Sequence, residues 1–130
     1  MPMNNRDLYN AALRLLAESI EDGENEDFEE RAPYLLAAFC SDTTGIQRQI
    51  CLSEGKPEPG TFTRVCLDLD EKFPYSERLA SAAGYYLAAM LILDLDENRS
   101  DTLYDKYCDT ISSISDTLPA RSESIVNRYL

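Results

Sequence analysis

Between Arg78 and Asp94 the chain carries no charged residue and reads LASAAGYYLAAMLIL. Alanine, leucine and methionine favour helix strongly, and Gly84 is the one weak residue inside the run. A helix apolar on nearly every side is either a membrane span or buried at the middle of a bundle. A span needs about 20 predominantly apolar residues. This run is shorter, and Ser81, Gly84, Tyr85 and Tyr86 dilute it. The stretch Glu77 to Leu95 is therefore expected to be the buried central helix of a small all-α domain.

At 130 residues, the chain fits one helical domain over residues 1–130. Twelve basic residues stand against 24 acidic ones, leaving a net charge of −12. Such a field repels phosphate, which argues against gripping a nucleic-acid backbone or an anionic membrane surface. Histidine is absent, so the commonest general base and the commonest ligand for zinc, copper and iron are missing. Cys40, Cys51, Cys66 and Cys108 form no CxxC pair and no zinc spacing. They are expected to be reduced thiols in a cytosolic setting. Cys40 and Cys108 lie near apolar stripes, where a thiol behaves as a small hydrophobe. No charged-then-apolar leader opens the sequence, so no secretory signal is expected.

The other elements follow from spacing and punctuation. Asn4 or Asn5 can cap a first helix, with Asp7 in its first turn and Leu8, Ala12, Leu15, Leu16 and Ile20 on one face. The acidic run from Glu21 should end it, with Gly23 as the stop. A second helix is expected from about Asp27 to Leu52, along a stripe of Phe28, Ala32, Leu35, Leu36, Phe39, Ile46 and Ile50. Pro33 lies in its second turn, and a break at 41–45, around Gly45, is the alternative. Ser53 to Arg64, with two prolines and two glycines, must be loop. Val65, Leu67 and Leu69 alternate with Cys66, Asp68 and Asp70, which predicts a short half-exposed strand or extended segment. Residues 53–75 thus form a loop and arm, closed by Pro74, and Ser76 caps the central helix. Leu103, Tyr107, Ile111, Ile114 and Leu118 predict a fourth helix stopped by Pro119. Residues 120–130 form a short tail whose apolar members are Ile125, Val126, Tyr129 and Leu130.

Candidate chemistry is sparse. Asp94, Asp96, Asn98, Ser100 and Asp105 put oxygens at several positions of a calcium loop. Arg99 stands where that loop needs glycine, and Asp105 replaces the bidentate glutamate. Acids ending one helix and capping the next account for the same residues. Glu24, Glu26, Asp27, Glu29 and Glu30 cluster as a solvated face rather than an acid–base pair. A cysteine nucleophile has no histidine to activate it. Tyr85, Tyr86 and Tyr107 read as core or interface residues. No catalysis, no metal and no cofactor is expected.

The order of patterns is more informative than any one of them. Leu8-Tyr9 and Leu15-Leu16 precede an acidic gap and Glu29-Glu30-Arg31-Ala32-Pro33-Tyr34-Leu35-Leu36. Leu67-Asp68-Leu69, Phe73-Pro74, the alanine-rich helix from Glu77-Arg78-Leu79, and Tyr104-Asp105-Lys106-Tyr107 follow. This order resembles the small head–tail connector (adaptor, head-completion) proteins of tailed phages and prophages. The resemblance implies a structural protein of the virion neck, assembled in the bacterial cytoplasm as a ring of about a dozen copies. Its partners would be the portal and the next neck or tail protein, with DNA passing through unbound. Portal docking would fall on Arg121, Ile125, Val126, Arg128, Tyr129 and Leu130, and contacts to neighbours on Lys56, Phe62 and Arg64 of the loop. An electronegative wall suits a channel through which DNA slides. A rival reading is an acidic DNA mimic, of the anti-CRISPR or anti-restriction kind, occupying a nuclease's basic groove. A small cytosolic scaffold with no link to nucleic acid is a third.

Overall fold

Asn4 starts the first helix by a reciprocal cap. Its side chain accepts from the Asp7 N–H, and the Asp7 carboxylate accepts from the Asn4 N–H. The computed structural model describes residues 3–17 and 26–118, in which α1 spans Asn5–Leu15, α2 Glu26–Glu54, α3 Ala80–Ile92 and α4 Glu97–Asp116. A single 3-10 turn, Glu77–Leu79, leads into α3, with the Ser76 hydroxyl accepting from the Arg78 N–H. Among the described residues no strand forms. One isolated antiparallel bridge joins Asn4 and Lys72. The chain is a small all-α bundle, as the periodicities require. Ile20, Gly23 and Pro119, which bear on two expected helix ends, lie outside the described residues.

Helix α3 is the centre. It packs most extensively on α4, then on α1 and α2. Ala82, Ala83, Leu87, Ala88, Ala89, Leu91 and Ile92 are fully buried. Alanines on both sides let neighbouring backbones come close, as at Gly84, where an added Cβ would meet only the Ala11 Cβ at 3.9 Å. Burial stops with the helix. Leu93 and Leu95 were expected inside, yet they lie beyond Ile92 and are 45% and 52% exposed. The Leu95 and Asp96 N–H groups both bond to the Ile92 carbonyl, which turns the chain outward there.

Helix α2 runs unbroken through the suspected weak point at 41–45. Two adjacent threonines explain it: Thr43 and Thr44 direct their hydroxyls to the carbonyls of Phe39 and Cys40, both at 2.8 Å, so both stay satisfied while buried. The helix then ends as a Schellman motif at Gly55, whose φ of +69° suits glycine. There the Lys56 N–H bonds to Cys51 O and the Gly55 N–H to Leu52 O.

Residues 56–76 form a strap laid back on the bundle. Carbonyls of Leu69 and Glu71 accept from the Arg6 and Asn5 N–H groups, satisfying the open first turn of α1. The buried Asn5 amide donates to Asp68 O at 2.8 Å, and the Leu67 N–H bonds to Pro33 O at 2.9 Å. Leu67, Leu69 and Phe73 are buried, but Val65 breaks the expected alternation at 76% exposed. It precedes the strap's first backbone–backbone bond to α2, from Leu67 to Pro33, and so lies ahead of the segment that turns alternate side chains inward. Aromatic rings continue from the strap into the core: Phe62 meets Tyr75, Tyr75 meets Phe73, Phe73 meets Phe39, and Phe39 meets Tyr86 and Tyr107. In α4 Leu103 and Tyr107 are buried and Ile111 and Ile114 half-buried, with Leu118 buried just past the helix end, whereas Cys108 is exposed. Cys108 follows Tyr107 by one residue, about 100° round the helix, which carries it off the apolar stripe.

Candidate docking surfaces

Most arginines of the described residues make bonds within the fold. Arg6 pairs with Glu29 on α2 and Asp70 on the strap. Arg31 donates to the Met90 carbonyl near the end of α3, and Arg99 on α4 donates to Leu15 O at the end of α1. Arg48 reaches Pro59 O, and Arg78 bonds Thr117 at 3.0 Å while lying 3.8 Å from Glu54. Each connects segments distant in sequence, often by capping an orphan helix carbonyl.

Lys56 and Arg64, expected as contact residues, are also engaged within the chain. Lys56 pairs with Glu54. Arg64 donates two parallel hydrogen bonds to the Glu71 carboxylate at 2.7 and 3.2 Å, and that carboxylate also accepts from the Asp68 N–H. The Arg64 guanidinium, then the Asp68 N–H, hold the Glu71 carboxyl below its usual range. Phe62 is half-buried, its ring edge-on to Tyr75 with centroids 5.9 Å apart. The remaining expected contact residues, Arg121, Ile125, Val126, Arg128, Tyr129 and Leu130, lie outside the described residues.

Carboxylates occupy the outer face instead. Glu97, Asp101, Asp105 and Asp109 are exposed at four-residue steps along α4, about 6 Å apart. Among the described residues none has a cation at ion-pair distance. The calcium-loop pattern dissolves here: Asp96 caps α4 by accepting from the Arg99 N–H, and the buried Ser100 hydroxyl donates to Ala89 O. Among the described residues no three metal-ligating side chains converge. Burial pushes the Cys40 thiol up to about 12, far from a nucleophile's range.

Among the described residues, two open clefts with apolar walls carry an exposed tyrosine, Tyr34 or Tyr104. The larger is a groove of about 1110 Å³ between the N-terminal half of α2 and the strap. Its walls carry Pro33, Tyr34 and Leu35 on one side and Arg64, Cys66 and Leu69 on the other. Tyr34 is 58% exposed there. The smaller, about 400 Å³, lies at the α3–α4 turn among Met90, Leu93 and Tyr104, beside Asp101 and Asp105. Tyr34 stands off the stripe that α2 buries, the one sign in the sequence that could have marked it. No protein family, curated protein or solved structure matches this chain.

Proposed function

We propose that the chain is a structural subunit of a phage neck, a head–tail connector that assembles as a ring and binds by protein–protein contact without catalysis. The observation that carries this reading is the pairing of a complete core with exposed apolar surface. The bundle buries its own stripes, yet Tyr34, Val65, Leu93, Leu95 and Tyr104 stay open on the outside. Open apolar surface rimmed by polar residues marks contact with another macromolecule. Arginines committed to internal bonds and carboxylates left in water suit a wall past which DNA moves without being held. The resemblance in the order of patterns supplies the connector assignment itself.

Sedimentation at high protein concentration, with and without the portal protein encoded in the same genome, tests it. A ring or a portal complex is expected. A monomer that ignores the portal overturns the reading.

One observation favours a second reading. The exposed α4 carboxylates, with no cation at ion-pair distance among the described residues, form a regular row, the charge pattern of a DNA mimic. A mimic inhibits a basic nuclease with an affinity that falls steeply with salt. Inhibition indifferent to ionic strength removes that reading.

A further inference from the structure

We infer that the acidic face of α4 around Tyr104 docks, head to tail, in the cationic cleft between the end of α2 and residues 72–78 of a second copy of this chain. The inference rests on the ring reading and names the contact between neighbours.

The receiving cleft, about 670 Å³, is lined by Lys56, Lys72 and Arg78 against Glu54 and Glu77. Glu54 lies 3.3 Å from Lys56 and 3.8 Å from Arg78, so one carboxylate serves two cations. Lys72 is exposed and has no carboxylate at ion-pair distance among the described residues. Positive charge is thus left over here, in a chain of net charge −12. Pro74, exposed, and Tyr75, half-buried, add an apolar wall. The Ser76 N–H donates to the buried Gln47 side-chain carbonyl at 3.0 Å, which ties that wall to α2.

The entering face has the complementary make-up. Tyr104 is 40% exposed beside Met90 and Leu93, at the rim of the α3–α4 turn. Asp101 and Asp105 flank it, with no cation at ion-pair distance among the described residues. An exposed tyrosine is a common anchor of protein contacts, and opposite charges around it steer the approach and fix the register.

Within one chain these two surfaces do not meet. Lys72 bridges Asn4 at the start of α1, whereas Arg99, in the first turn of α4, bonds Leu15 at the end of α1. Arg78 bonds Thr117, and Asp105 stands twelve residues back along α4 from there, about 18 Å away. The acidic face and the cleft therefore lie toward opposite ends of the bundle. Two unlike, complementary faces on one molecule give a heterologous contact, the kind that closes rings.

Sedimentation of the full chain at high concentration reads the association, and charge reversal identifies the groups that make it. Lys72→Glu in one variant, and Asp101→Lys with Asp105→Lys in another, should each weaken association about tenfold or more, because each sets like charges across the contact. All three positions are exposed. Mixing the two variants should restore association, since the reversed cleft of one meets the reversed α4 face of the other. Restoration also shows that neither variant is misfolded. Unchanged association in either variant, or no restoration on mixing, overturns the inference. Association that survives both reversals leaves the ring reading standing and removes only this contact. A wild-type chain that stays monomeric overturns the inference too. If that monomer binds the portal, the connector reading stands without this contact; if it ignores the portal, both fall.

Discussion

Helix α3 and the strap at 56–76 both lie against α1 and α2, yet they are held by different means. α3 is secured by area: nearly every side chain from Ala82 to Ile92 is buried, with few polar contacts to its neighbours. The strap is secured at points, by the backbone bonds of Asn5, Arg6 and Leu67 and the Arg6–Asp70 pair, with Leu67, Leu69 and Phe73 as its pegs and the Arg64–Glu71 pair bracing it internally. Area burial fails all at once, with the whole fold. Point contacts can open one at a time, as local unfolding below the global free energy.

The largest expected effect lies in α3. Leu87→Ala removes a fully buried side chain and should cost about 2–5 kcal/mol, read as a lower midpoint in urea unfolding. A loss below about 1 kcal/mol would mean that the centre collapses around the cavity and is not packed as described. Ser100→Ala comes next. It leaves the Ala89 carbonyl without its buried hydroxyl donor and should cost about 1 kcal/mol by the same measurement. Gly84→Ala sharpens the contrast in the opposite direction. Its new Cβ meets Ala11 at an ordinary 3.9 Å, so the helix should gain about 0.5–1 kcal/mol. Destabilisation there would show α1 and α3 to be closer than this.

The smallest effect belongs to the strap and depends on pH. Glu71 is held below its usual 4.5 in the folded state, first by Arg64 and then by the Asp68 N–H. A depressed carboxyl contributes fully above the unfolded value, and its contribution is lost as pH falls through the folded one. Acidification below about 4.5 should therefore raise hydrogen exchange at residues 64–71 before it changes exchange in α3. Glu71→Gln should mimic this at neutral pH with little change in global stability, because the pair is exposed. Equal loosening of strap and core would erase the distinction.

The elements legible beforehand were those whose signal is local. The α4 stripe, the uncharged run of α3 and the cap at Ser76 all depend on neighbours within one or two turns. Continuity through Thr43 and Thr44 was the favoured reading of α2, although the back-bonds that make it possible are visible only in three dimensions. Val65, Leu93 and Cys108 were misplaced because a periodic pattern does not announce where a helix stops or which residue of a loop first touches the core. The arginine bonds were hidden by distance in sequence: Arg99 finds Leu15 eighty-four positions away, and Arg31 finds Met90 fifty-nine away. Lys56 and Arg64, read as contact residues, pair with Glu54 and Glu71, near in sequence but in a loop whose course no periodicity fixes. The open groove had no sequence signature beyond Tyr34, whose neighbours there come from the far wall of the strap.

The row of acids on α4 has a consequence for how two molecules can approach. Brought broadside along that helix, they would set like charges face to face within the screening distance of physiological salt, about 8 Å. Glu97, Asp101, Asp105 and Asp109 therefore act as a bumper, forbidding that orientation. A two-fold pairing of α4 with α4 is thereby excluded, whereas a head-to-tail contact that sets α4 against a different face is not. The flank bearing Tyr34 carries no such row and leaves that approach open.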